Sequence, residues 1–98
     1  MEKEKEGKLF YEIDWNVVTH MAERMATNKH KYKPYNWKKE ITPAQLEDLK
    51  QATTRHFIAF ANGDYEDDNR PFGHIEAIMT NLMMINYQLR NYGIKKEN

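Results

Sequence analysis

Thr42-Pro43-Ala44-Gln45-Leu46 carries the start of a helix in five residues. The Thr42 hydroxyl can accept from a first-turn amide that has no partner inside the helix. Gln45, three residues on, can return a bond to the Thr42 amide, which completes a capping box. Pro43 takes the first helical position, where its missing N–H is no loss and its fixed φ suits the helix. Leu46, Leu49, Thr53, Phe57 and Phe60 then recur at helical spacing and mark an apolar side. Asn62-Gly63 supplies a stop, because glycine adopts the left-handed conformation that ends many helices. A helix over about 43–62 is expected.

Two more helices follow from working outward. Upstream, Asp14 can cap a helix over about 16–28, with Val17, Met21 and Met25 at every fourth position and Val18 and Ala22 beside them. Residues 9–13 precede it as a short apolar-aromatic stretch, extended or a lead-in. Between the two helices lies the segment 29–39, where Pro34 opposes a continuous helix and pushes Lys33 toward extended geometry. Downstream comes an acidic loop with Asp64, Glu66, Asp67 and Asp68. A third helix is expected from near Pro71 to about Asn91, with Ile75, Ile78, Met79, Leu82, Ile85 and Leu89 as its stripe and Gly93 after its end. Residues 1–8, mostly alternating Glu and Lys, have almost nothing to bury and suit a disordered tail, and residues 94–98 form a second tail. The fold class is all-α: one three-helix domain over 9–93, with a basic-aromatic loop between helices 1 and 2.

Composition narrows the function classes. Fifteen Lys plus Arg balance fifteen Asp plus Glu, which speaks against duplex nucleic acid as a partner, since duplex binding relies on a large positive field. Without cysteine there is neither a disulfide framework nor a Cys-based zinc site. No apolar run approaches the ~20 residues that span a bilayer, and the Glu/Lys opening is no signal peptide. No membrane partner and a cytoplasmic location are the expectation. A 98-residue domain buries only a modest share of its surface, so a homo-oligomer is expected, with Met79, Met83 and Met84 as interface candidates.

Three places carry residues suited to chemistry. Segment 29–39 packs five lysines and three aromatics into eleven residues, among them Lys31, Tyr32, Asn36, Trp37 and Lys38. Ammonium groups pair with phosphates and flat rings stack on bases, although Trp37 alone reads first as a packing anchor. Arg55-His56 comes second. His56 points near the apolar face, while Arg55 lies about 100° round the helix and can hold a phosphate. The third is the acidic loop with the start of helix 3. His74, Ile78 and Asn81 share a face, whereas Glu76 lies about 200° from His74 and is expected to face solvent. Two histidines and one aspartate can hold a divalent metal, so His56, His74 and Asp67 (or Asp68) are candidate ligands. Structural caps and salt bridges are the plainer account of the same residues.

Taken in order, Trp15, Lys31-Tyr32, Asn36-Trp37, Arg55-His56, Gly63, Asp67, His74 and Asn81 resemble the pattern of a phage family of dATP/dGTP diphosphohydrolase type, over about residues 12 to 90. Many relatives carry a second histidine three residues after the first of helix 3. Here that position is Ala77, and Asn69-Arg70-Pro71-Phe72-Gly73 replaces the usual Ser-Gly turn. The paired Glu-x-x-Glu and Glu-x-x-Asp helices of MazG-type pyrophosphatases are missing. The resemblance implies a phage origin and a purine nucleotide, or a cyclic nucleotide signal, as ligand. Three functions compete: sequestration of a nucleotide signal of host defence, metal-dependent diphosphohydrolysis of dATP or dGTP, and a non-catalytic oligomeric interaction protein.

Overall fold

The computed structural model describes residues 9–27, 36–66 and 73–93, without the side chains of Leu9 and Asn36. The expected tails, most of the basic loop and the stretch 67–72 lie outside the described residues. Three α-helices form the domain: α1 (Trp15–Thr27), α2 (Pro43–Ala61) and α3 (His74–Tyr92). Short 3-10 turns at Leu9–Glu12 and Asn36–Lys38 precede α1 and α2. None of the described helices is long and apolar enough to cross a membrane.

Local chemistry accounts for each boundary. The Asp14 carboxylate accepts from the Asn16 amide at 3.0 Å and starts α1. The indole of Trp15 donates to the Phe10 carbonyl at 3.0 Å, so the apolar-aromatic stretch is a helical lead-in folded onto α1. At α2 both halves of the capping box form: Gln45 N donates to the Thr42 hydroxyl at 3.1 Å, and Thr42 N donates to Gln45 Oε1 at 2.9 Å. Gly63, at φ +86°, follows the end of α2.

The start of α3 falls within the expected margin, and a tertiary contact fixes it. The helix begins at His74, three residues later than the proline suggested. Glu66 and Gly73 form an antiparallel bridge, and the His74 amide donates to the Tyr65 carbonyl at 2.9 Å. That pairing keeps Gly73 extended, so helical geometry cannot begin earlier. A Cβ on Gly73 would press into the Tyr65 carbonyl oxygen, so the close approach depends on glycine. Glu76 is half-buried rather than solvent-facing. Its Oε1 accepts from the Gly73 amide at 3.1 Å, and its Oε2 lies 3.5 Å from His20 Nδ1 on α1.

Helix α3 packs against both α1 and α2. Its most buried row is Ala77, Thr80, Met84 and Gln88, not the aliphatic stripe read from the sequence. Ile75 and Leu82 are exposed, while the other members of that stripe are half-buried. A helix covered from two sides buries the line between its neighbours. Small or flexible residues suit that line, with bulkier ones flanking it. Met84 is therefore interior and leaves the set of interface candidates, whereas Met79 and Met83 are half-buried. On α2, Phe57 is exposed and His56 turns partly inward in its place. On α1, Val17, Met21 and Met25 are half-buried as expected, and Arg24 is the most buried residue.

Candidate functional site

A single buried side chain fixes the segment ahead of α2. Gln88 is 4% exposed. Its Nε2 donates to the carbonyls of Trp37 (2.8 Å) and Lys39 (2.7 Å), and its Oε1 accepts from the Ile41 amide at 3.1 Å. Both amide hydrogens and the carbonyl are thus used, as burial of a polar group demands. The Tyr92 hydroxyl adds a bond to the Lys38 carbonyl at 2.6 Å. Trp37 meets Tyr87 edge-on at 5.1 Å between centroids, and Lys38 Nζ stands 5.4 Å from the Trp37 centroid. Trp37 is therefore held in place by packing and lines a cleft at the same time.

Behind this segment a cleft of about 570 Å³ opens along α2 and α3. Trp37, Lys39, Glu40 and Ile41 line it from the segment, Gln45, Asp48, Leu49, Ala52 and Arg55 from α2, and Met84 and Gln88 from α3. The volume falls in the range of small-molecule sites. Leu49, Ala52 and Met84 give it apolar surface suited to a flat ring. The Arg55 guanidinium and Lys39 ammonium suit phosphate oxygens, and the Arg fork can bind them bidentately. Gln45 and Asp48 sit three residues apart on α2 and offer amide and carboxylate groups to a base edge.

A second cluster joins α2 to α3. His56 Nδ1 and His74 Nδ1 are 2.8 Å apart, with ring centroids at 5.0 Å. His74 Nε2 lies 3.6 Å from Asp64 Oδ2. The His74 side chain is 12% exposed and Asp64 67%, so a sheltered ring meets a solvated carboxylate.

The residues singled out in the sequence thus divide. Trp37 and Arg55 line the cleft, while His56 and His74 form the histidine pair. Lys38 stands over the Trp37 and Tyr87 rings, and it is Lys39 that lines the cleft. Asn81 is half-buried on α3 and is not among the cleft's lining residues. Lys31, Tyr32, Asp67 and the side chain of Asn36 lie outside the described residues. Sequence reasoning did not place Gln88 or Asp48 at a site, read Gln45 only as half of the capping box, counted Lys39 only within the basic-aromatic segment, and did not pair Asp64 with His74. The spacing Ala77, Met84, Gln88 repeats at seven and four residues and could have exposed Gln88. Nothing comparable marks Asp48.

By fold and site, this is an all-α three-helix domain with a cleft lined by Trp37, two cations (Lys39, Arg55) and two carboxylates (Glu40, Asp48). A family model described as dATP/dGTP diphosphohydrolase, N-terminal, matches residues 2–97, and the chain belongs to that family. No curated protein and no solved structure matches the chain.

Proposed function

We propose that this chain binds a purine nucleotide in the cleft between segment 37–41, α2 and α3, and holds it without turnover. The observation that carries the reading is the cleft itself: about 570 Å³, with Arg55 and Lys39 as cations beside the carboxylates of Glu40 and Asp48, and Trp37 and Leu49 as apolar walls. Membership of a family named for dATP and dGTP supports a purine ligand. Capture needs only these groups, whereas hydrolysis also needs an activated water. In a phage, such a protein removes a nucleotide signal of host defence, cyclic or linear.

Hydrolysis to a nucleoside monophosphate and pyrophosphate is the second reading. It is favoured by the family's description and by the paired histidines backed by Asp64. The deciding experiment incubates the protein with mono-, tri- and cyclic nucleotides, with and without divalent metal, then denatures it and analyses what is released. Intact ligand supports capture, and converted ligand supports hydrolysis. If nothing is retained and nothing is converted, both give way to an oligomeric interaction protein.

The domain also assembles as a homo-oligomer in this proposal. Ala77 and Met84 are the only buried apolar residues among those described, while Phe10, Tyr11, Phe57, Ile58, Ile75 and Leu82 are exposed. Exposed large apolar groups on so thin a core favour a second copy as cover. A monomer mass by light scattering at micromolar concentration would overturn this part.

A further inference from the structure

The two histidines meet through like atoms. With the Nδ1 atoms of His56 and His74 at 2.8 Å, one ring must carry a proton there and the other must present a lone pair. Asp64 Oδ2, 3.6 Å from His74 Nε2, favours a proton on that far nitrogen. His74 Nδ1 is then the acceptor and His56 Nδ1–H the donor.

We propose that His56 and His74 form a two-point site for a zinc-like divalent ion, bound through both Nδ1 atoms, with Asp64 as the group that orients His74. Zinc–nitrogen bonds of ~2.0–2.1 Å at a tetrahedral angle set two ligand nitrogens ~3.3 Å apart. To reach that separation the pair must open by about 0.5 Å, and each ring must turn by roughly 35° so that both lone pairs meet at the ion rather than point at one another. His74 already holds the required tautomer. His56 reaches it by moving its proton from Nδ1 to Nε2, which leaves the net charge of the rings unchanged. The ligands come from two separate helices, the last third of α2 and the first turn of α3, which fixes their relative placement. Imidazole nitrogen suits late first-row divalent ions. Among the described residues no group of three or more His, Asp or Glu side chains is placed to hold a metal. The described protein groups therefore supply two ligands, and water or a phosphate oxygen fills the remaining positions. An ion with such open positions can polarise a phosphoryl oxygen.

The inference needs no nucleotide, so its test is separate from those of the two functional readings. Zn²⁺ alone is titrated calorimetrically into the full chain. One saturable site per chain is expected. Its affinity should fall at least ~10-fold in His56→Ala and in His74→Ala, and up to ~10-fold in Asp64→Asn, whose carboxylate is solvated. His20→Ala should bind like the parent, because His20 pairs with Glu76 on the α1 side. Circular dichroism checks folding, and His74→Asn replaces His74→Ala if the helix start fails. Co²⁺ in place of Zn²⁺ should give visible bands that disappear in the same variants. Absence of saturable binding to the folded chain at millimolar Zn²⁺ overturns the proposal. So does equal affinity in the His56→Ala/His74→Ala double variant. Nucleotide retention in the presence of a chelator tests the cleft independently of either result.

Discussion

Replacing Gln88 by Leu should cost this domain about 2–4 kcal/mol, from three hydrogen bonds at a net ~0.5–1.5 kcal/mol each. Leu keeps most of the volume and adds apolar surface, so a loss of this size must come from the polar contacts. The carbonyls of Trp37 and Lys39 and the amide of Ile41 would lose their partner together. Part of the penalty is recovered by water, because Lys39 is exposed and its carbonyl can rehydrate. For a domain of this size about 2–4 kcal/mol corresponds to a fall in Tm of roughly 10–25 °C. The assay is thermal and urea denaturation followed by circular dichroism, with hydrogen exchange at the Ile41 amide. Exchange at Ile41 should quicken beyond what the global loss explains. Gln88→Glu is a companion, since it keeps the shape and the acceptor toward Ile41 but sets oxygen against two carbonyls. It should be destabilised by a comparable amount. A Gln88→Leu protein within about 0.5 kcal/mol of the parent, with Ile41 equally protected, would refute the clamp.

Three other expectations follow from the same contacts. Thr42→Ala should cost about 0.5–2 kcal/mol by urea denaturation, because the Gln45 amide loses its cap. Gly73→Ala should cost about 1–3 kcal/mol in the same assay, since its Cβ meets the Tyr65 carbonyl oxygen and that backbone must move. A variant as stable as the parent would show that the close approach is dispensable. Arg55→Ala should weaken nucleotide binding about 10- to 100-fold by calorimetry without changing stability, as expected for one charge-assisted phosphate contact. Raising the salt concentration should weaken the parent more than this variant.

Short-range chemistry was legible in the sequence wherever one residue acts on its neighbours. Thr42, Pro43 and Gln45 place the start of α2 because a capping box involves only four positions. Gly63 and Gly93 likewise mark helix ends at positive φ. The third helix start was legible only to within a few residues, because its determinant is not local to Pro71: the bridge between Glu66 and Gly73 sets it. The buried row of α3 was missed for a related reason. Hydrophobicity alone selects Ile75 and Leu82, but which line of a helix is buried depends on where its neighbours pack. Gln88 was invisible because its three partners lie 47 to 51 residues away, and a glutamine in a helix gives no sign of its partners.

Arg55 and His56 show how one motif can serve two places. A single residue step turns a helix by about 100°, so neighbours in sequence face different surroundings. Arg55 lines the cleft, and His56 meets His74. Yet the two places are not remote. The cleft's α2 wall runs from Gln45 to Arg55, ten residues or about 15 Å of helix, and its Arg55 end is the end beside His56. On α3, Met84 lies ten residues beyond His74, again about 15 Å along the axis. On the nucleotide proposal, phosphates held by Arg55 would therefore lie at the end of the cleft nearer the histidines. On that proposal capture and hydrolysis would share the cleft and would differ in whether an ion at the histidine pair engages the phosphate chain. That makes ligand release in the presence and absence of metal the sharper discriminator, since affinity alone would report the shared cleft.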